Sequence, residues 1–195
     1  NLAAVAILAA VVIGSVARGA TESVRFRALG PAVEITVRDA DSERRRVALD
    51  AAQEPFERFG RAWYPWRSDS ELARINRTLE RGEAARADDA LRQLLRRARH
   101  LACRSGGRFD PTIGGLVRLW GFDGPPPYST GAPARDAIRA WRERGVDFND
   151  LVIGPRAIRS RNRGVQIDLG AIAKGAIIER ALGAIREQGV EHAMV

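Results

Sequence analysis

The sequence predicts an α+β fold in which short strands and helices come in mixed blocks. Near its start, residues 23–28 and 32–38 read as two strands, and the second alternates apolar and polar side chains as half-buried strands do. Further along, apolar residues recur every three or four positions, which is the pattern of amphipathic helices. Because strict βαβ alternation is missing, we expect a mixed sheet with flanking helices.

The first helix is predicted directly after the second strand. Either Asp41 or Ser42 can accept hydrogen bonds from the first backbone N–H groups, and the helix should run to about Gln53. The ring of Pro55 clashes with the preceding turn of a helix, so we expect the helix to end or bend there.

Two further helices are predicted from their end signals. Ser68 and Glu71 have the spacing of a capping box, in which each side chain binds the other residue's backbone N–H. Asp88 or Asp89 begins a long helix that Gly106-Gly107 ends. The apolar face of this long helix consists of Leu91, Leu94, Leu95, Ala98, Leu101 and Ala102.

The second half of the chain contains shorter elements. Asp110 is predicted to cap a helix that has Pro111 at its first position and Gly121 after its end. Residues 161–164 resemble a hairpin turn. The other predicted elements are a helix over 134–144, strands over 151–153, 157–159 and 165–167, a helix that follows Asp168 and ends at Gly189, and a strand from Val190.

The charge of the chain does not indicate a nucleic-acid partner, although the net charge is +8. Lys174 is the only lysine, and the many arginines alternate with acidic residues, as in 142–144 and 185–187. No basic stripe with interspersed aromatic residues is present, which a base-stacking surface would need. We therefore interpret the positive charge as a solvated surface.

The N-terminal segment predicts export. Residues 2–17 carry no charge, but the run is shorter than the roughly 20 residues of a membrane-spanning helix, and it ends in small residues of the kind that a signal peptidase recognises. We interpret residues 1–20 as a signal peptide or an N-terminal membrane anchor. This places the protein in the periplasm, or on the outer face of the inner membrane through the apolar segment. Cys103 is the only cysteine and is predicted to be a packing residue.

The stretch from Asp168 to Gly175 is the first candidate for chemistry. It lies between a predicted strand and a helix, where unpaired backbone N–H groups favour an anion. A cation such as Lys174 in the first turn of a helix is unfavourable by about 0.3–1 kcal/mol, and a bound phosphate would offset that cost. The alternative is that Asp168 only caps the turn and Lys174 is solvated.

Two other stretches allow both structural and functional interpretations. The glycines around residues 106–122 would let the backbone approach a ligand closely, but helix capping also explains this stretch. Trp66 can stack on a flat ring or belong to the core. His100 and His192 are weak candidates for a catalytic base, because His100 lies opposite the apolar face of its predicted helix and the strand pattern does not place His192.

Taken together, three stretches resemble the FAD:protein FMN transferase family, also known as the thiamine-biosynthesis lipoprotein ApbE. They are residues 68–76, 109–122 and 168–175, in this order and at this spacing. The similarity runs from about Val24 to Val195, so residues 24–195 are expected to form the N-terminal portion of an ApbE-like, T-fold-related domain. Leu29-Gly30-Pro31 departs from the usual Met-Gly-Thr, and the lipid-bearing cysteine is absent.

The resemblance implies a reaction and a site. The family uses Mg²⁺ to cleave FAD, transfers FMN to a Thr or Ser hydroxyl of a target flavoprotein, and releases AMP. Its other metal ligands and its general base are expected beyond Val195, so we expect residues 1–195 alone to be inactive. By motif, the Ala171 carbonyl corresponds to a metal ligand. The residues that correspond to FAD-binding positions are Leu29, Trp66, Arg108, Phe109, Asp110, Asp168 and Lys174.

Two other functions are compatible with the same stretches. A Mg²⁺-dependent FAD pyrophosphatase would use water in place of the acceptor hydroxyl and release free FMN and AMP. A non-catalytic flavin-binding protein of the periplasm would bind FAD and leave it unchanged.

Overall fold

The first sheet consists of three antiparallel strands in the order β1-β2-β6. The computed structural model describes residues 19–28, 32–123 and 131–195, and within them β1 is Ala20–Arg27, β2 is Ala32–Asp39 and β6 is His192–Met194. The predicted alternation in β2 is confirmed, because Ile35 and Val37 are fully buried while their neighbours are at least partly exposed. The apolar face of the sheet therefore covers the core.

Helix α1 (Ser42–Ala62) packs on this sheet and alongside the last helix. Asp41 caps it, as predicted, but the helix runs past Gln53 to Ala62, so of the two effects expected at Pro55, an end or a bend, the end is wrong. Pro55 is buried together with Phe56 and Phe59. The buried face of the helix continues past the proline. We attribute the unbroken helix to this burial, because it offsets the roughly 3 kcal/mol that a proline costs inside a helix.

Helix α2 (Glu71–Glu80) does not begin with the predicted capping box. Its cap is Ser70 rather than Ser68, and the Ser70 hydroxyl accepts a hydrogen bond of 3.0 Å from a backbone N–H three positions on. The Glu71 carboxylate instead accepts a hydrogen bond of 2.8 Å from the backbone N–H of Asp88. Glu71 thereby connects the start of α2 to the start of the next helix.

Helix α3 (Asp89–Arg104) is capped by Asp88, as predicted. It ends before residues 106–107, two glycines with φ of 62° and 78°, which confirms the predicted stop. The prediction is wrong for Leu101 and Cys103, which are both exposed, because Leu101 lies at the edge of the buried face of α3 and Cys103 lies outside that face.

Substitution of Glu71 by Gln should remove a pH-dependent destabilisation. Burial raises the pKa of the Glu71 carboxyl above its usual range, although the Asp88 N–H and Arg74 act to lower it. The folded state therefore binds this proton more tightly than the unfolded state does, and stability falls as pH rises from about 4.5 through the folded-state pKa. Relative to wild type, the Gln variant should gain stability across that window, as measured by urea unfolding from about pH 4 to 7. A difference that does not change with pH would contradict this expectation.

The second sheet has the order β3-β5-β4 and is antiparallel throughout. Its strands are β3 (Ala85–Arg86), β4 (Leu151–Ile153) and β5 (Ala157–Ser160), so two predicted strands are confirmed. The predicted third strand over 165–167 and its hairpin are wrong. Among the described residues they make only one bridge, a parallel one between Gln166 and Ile113.

A 3-10 helix over Phe148–Asp150 precedes β4, and three α-helices remain among the described residues. They are α4 (Gly114–Leu119), α5 (Arg135–Glu143) and α6 (Ala173–Glu187), and α6 ends before Gly189 as predicted. Within the described ranges, no helix is long and apolar enough to cross a membrane. The predicted leader over residues 1–20 lies almost wholly outside those ranges.

Candidate functional site

Asp110 organises a tight turn rather than a helix start. Helix α4 begins only at Gly114, so the predicted helix cap at Asp110 is wrong. One Asp110 carboxylate oxygen accepts hydrogen bonds from the Thr112 backbone N–H at 2.8 Å and from the Thr112 hydroxyl at 2.6 Å. Because Thr112 is fully buried, these bonds fix the position of the carboxylate.

The turn at Asp110 is joined to the stretch that contains Asp168. We call residues 165–168 the central segment. The Asp168 backbone N–H donates to the Pro111 carbonyl at 2.8 Å, and the Gly114 N–H donates to the Gln166 carbonyl at 2.8 Å. A Cβ on Gly114 would lie 2.7 Å from that carbonyl oxygen, so the close approach requires glycine.

The other side of the central segment is bound by a side chain of α2. The Asn76 Nδ2 donates to the Ile167 carbonyl at 2.9 Å, and the Asn76 Oδ1 accepts from the Ile167 N–H at 2.8 Å. Sequence reasoning missed this role. The available signal was a lone amide on the apolar face of α2, between Ile75 and Leu79, both of which are buried.

A cavity of about 430 Å³ lies beside the central segment. Trp66 is partly exposed at its wall, and the Arg118 guanidinium lies 5.6 Å from the centre of the Trp66 ring. The Arg118 Nε is 3.5 Å from an Asp123 carboxylate oxygen. The lining residues come from α2 and the segment before it, from residues 118–123 and from the central segment: Pro65, Trp66, Ser68, Ala73, Asn76, Arg77, Glu80, Arg118, Asp123 and Gln166.

The turn from Asp168 to Lys174 follows the central segment directly. An Asp168 carboxylate oxygen accepts a hydrogen bond of 2.7 Å from the Gly170 N–H. Helix α6 then begins at Ala173, and no described side chain caps its N-terminus. Lys174 lies in the first turn and is exposed. Backbone N–H groups and one ammonium group are thus available to an anion at this helix end.

The other predicted site residues have diverse environments. Arg108 is exposed and donates to the Ser105 carbonyl at 3.2 Å, while the half-buried Phe109 donates its N–H to the Ser105 hydroxyl at 3.0 Å. Leu29 lies outside the described residues. Ala171 is exposed in the turn before α6, where it offers a single carbonyl.

The described residues do not form a magnesium site by themselves. In residues 19–28, 32–123 and 131–195, no group of three His, Cys, Asp or Glu side chains could hold a metal ion. Mg²⁺ requires near-octahedral oxygen coordination, and one carbonyl does not supply it. His100 and His192 are both exposed.

The comparison with known families tests the resemblance noted in the sequence. The model of a family described as the ApbE family matches residues 29–195, which is most of the chain. The chain belongs to the ApbE family. The matched range contains all three stretches that meet at the central segment of this ApbE family member, and the resemblance noted in the sequence is thereby confirmed.

Curated relatives of this ApbE family member are named flavin transferases. The FAD:protein FMN transferase of Rhodobacter capsulatus is 35% identical over 173 residues, which are 87% of this chain and 32% of the relative. The FAD:protein FMN transferase of Treponema pallidum (strain Nichols) is 34% identical over 139 residues, which are 66% of this chain and 36% of the relative. The chain thus spans about a third of the length of these two relatives.

Solved ApbE structures confirm the α+β fold. The crystal structure of the ApbE protein from Thermotoga maritima superposes with a TM-score of 0.79 at 28% identity, covering 89% of this chain and 55% of that one. The flavin transferase ApbE from Vibrio cholerae gives a TM-score of 0.75 at 25% identity, covering 90% and 57%. The two small sheets and their flanking helices are therefore part of the ApbE architecture.

Proposed function

We propose that the intact protein transfers FMN from FAD to a Thr or Ser hydroxyl of a target flavoprotein and releases AMP. The names of the curated relatives support this reaction. The structural observation that carries the proposal is the convergence of three stretches on residues 165–168, with Gln166 at the wall of a cavity and the start of α6 five residues after Asp168.

The two halves of the site suit the two chemical parts of a dinucleotide. The Trp66 ring at the cavity wall can stack on a flat heterocycle. The N-terminus of α6 and the Lys174 ammonium can bind a diphosphate. Gln166 lines the cavity and precedes Asp168 by two residues, a separation of about 7 Å along an extended chain. A dinucleotide bound in the cavity can therefore extend to the turn that Asp168 begins and that leads into α6.

In the proposed reaction, the acceptor oxygen bonds to the phosphorus of the FMN half. The bond from that phosphorus to the bridging oxygen breaks, AMP leaves with the bridging oxygen, and the hydroxyl proton passes to a base. The charge that develops on the phosphoryl oxygens is stabilised by Lys174 and by the N–H groups at the start of α6. Arg108, Phe109 and Asp110 are proposed to line the FAD pocket beside this turn.

Dependence on Mg²⁺ is a further part of the proposal, with the Ala171 carbonyl as one ligand. An ion held by this carbonyl would supply positive charge against the diphosphate. The described residues supply only this carbonyl, so the other ligands of the ion would have to come from elsewhere.

The proposal is tested by incubating the intact protein with FAD, Mg²⁺ and an apo-flavoprotein acceptor. We expect FMN covalently bound to one Thr or Ser of the acceptor, an equal amount of AMP, and no product with EDTA or with an acceptor whose hydroxyl residue is replaced by Ala. Free FMN and AMP without acceptor modification would instead indicate a pyrophosphatase. Unchanged FAD would indicate a flavin-binding protein.

We also propose that the protein acts outside the cytoplasm and has no nucleic-acid partner. The uncharged run over residues 2–17, interpreted above as a signal peptide or anchor, supports export. Fractionation of producing cells, together with mass spectrometry of the mature N-terminus, tests this and separates a cleaved peptide from an anchor. Protein found intact in the cytoplasm would contradict it.

A further inference from the structure

We infer that Asn76 is a positioning residue of this site, which holds the Asp168–Lys174 turn in place through the backbone of Ile167. The inference deepens the proposed function and rests on it for its kinetic consequence. Asn76 is assigned no contact with the reacting atoms. Its effect is on the distance between the cavity and the turn.

The Asn76 side chain takes the place of a neighbouring strand. Successive residues of an extended chain direct their N–H and C=O groups to opposite sides. Gln166 and Asp168 bind residues 111–114 on one side, so the polar groups of Ile167 point to the other side. There the Asn76 amide supplies one donor and one acceptor, at 2.9 Å and 2.8 Å.

Loss of the Asn76 amide would leave both groups without partners. Ile167 is fully buried, and a buried backbone group without a hydrogen-bond partner is unfavourable because water cannot replace the lost bond. The central segment would relax this cost by shifting, and Asp168 follows it immediately. The misplacement would therefore be passed to the start of α6.

Helix α2 is well placed to set the position of the Asp168–Lys174 turn relative to the cavity. It contributes Ala73, Asn76 and Arg77 to the cavity that Trp66 lines, and Glu71 ties its start to α3. One side chain thus fixes the phosphate-binding turn relative to the ring-binding wall. A dinucleotide bound at both places is sensitive to that distance, because reacting groups must be aligned within fractions of an ångström.

The chain offers a matched control for Asn76. The Asn162 side chain also donates to one backbone carbonyl, that of Arg144 at 2.8 Å, and accepts from one backbone N–H, that of Gly164 at 2.9 Å. Asn162 is not among the residues that line the cavity. Its replacement by Ala removes the same kinds of bond from a different place.

The experiment compares Asn76→Ala, Asn162→Ala and wild type in the intact protein. Asn76→Ala should lose hydrogen-exchange protection at the Ile167 amide and lose at least about tenfold in kcat/KM for FMN transfer, a size typical of a small misplacement. Asn162→Ala should lose comparable stability but keep kcat/KM within about twofold. Unchanged protection of Ile167 in Asn76→Ala, or equal kinetic losses in both variants, would overturn the inference.

A second variant, Asn76→Asp, provides a pH profile that a general loss of stability would not produce. The neutral carboxylic acid can both donate and accept, as the amide does, whereas the ionised carboxylate cannot donate to the Ile167 carbonyl. Its kcat/KM relative to wild type should therefore rise as pH falls, and a flat ratio would contradict the inference. This variant also serves if Asn76→Ala does not fold.

The inference and the proposed function can fail separately. If wild type transfers no FMN, the proposed function fails, and affinity for FAD then replaces kcat/KM in the comparison. The exchange of the Ile167 amide tests the positioning role in either case.

Discussion

Replacement of Lys174 by Met should lower kcat/KM for FMN transfer by at least about a hundredfold, the size of effect seen when one preorganised charge-stabilising group is removed from an active site. The reason is the position of its ammonium group, in the first turn of α6 and exposed to solvent, where it can meet the diphosphate of FAD. Steady-state transfer kinetics at varied FAD concentrations measure the effect.

The stability of the same variant should not fall along with its activity. A cation near a helix N-terminus is unfavourable by about 0.3–1 kcal/mol, so Lys174→Met should be as stable as wild type or slightly more stable. Lys174→Arg keeps the charge but replaces a compact ammonium by a planar fork, and its activity should lie between those of wild type and the Met variant. A Met variant that loses stability and activity together would contradict a binding role.

Replacement of Trp63 by Ala should lower the free energy of unfolding by about 3–5 kcal/mol, the range for a large buried aromatic residue. Trp63 is only 1% exposed, and its ring centre is 4.4 Å from that of Phe59. The Arg180 guanidinium lies 5.2 Å from the centre of the Trp63 ring. Trp63→Phe should cost much less, because the indole N–H has no hydrogen-bond partner among the described residues. Urea unfolding monitored by circular dichroism provides the values.

Trp66, three residues further along, is the control for this prediction. Its ring is partly exposed at the cavity wall, so Trp66→Ala should cost less than about 1–2 kcal/mol of stability but should weaken FAD binding. Similar stability losses at the two tryptophans would contradict the assignment of Trp63 to the core and Trp66 to the cavity.

Elements whose signals are local could be predicted from the sequence. The alternation in β2 and the caps at Asp41 and Asp88 depend on residues within a few positions of one another. The glycines after α3 and α6 act in the same way, because a positive φ at that position is a property of the residue itself.

Predictions that failed depended on distant partners. Helix α1 continues past Pro55, and we relate this to the burial of the surrounding face of α1. That burial cannot be read from the presence of a proline alone. Glu71 has the spacing of a capping box, but Asp88 supplies a backbone N–H within its reach. Local propensity is therefore overridden wherever a long-range contact offers more.

The candidate site shows the same division. The turn before α6 and its lysine could be identified from residue types and spacing. The role of Asn76 could not, because its partner Ile167 is 91 positions away in the sequence. A strand is predicted over residues 165–167, but the sequence does not reveal that the neighbour of this segment on one side is the Asn76 side chain rather than a strand.

The measurement that bears most directly on the diphosphate site is a calorimetric titration of two ligands into intact wild type and Lys174→Met. The ligands are ADP, which contains the adenosine and both phosphates of FAD, and adenosine, which contains neither phosphate. If the start of α6 binds the diphosphate, wild type should prefer ADP by at least about tenfold, a coupling of 1.4 kcal/mol, and the Met variant should lose most of that preference. An equal preference for ADP in both proteins would show that the phosphates are bound elsewhere.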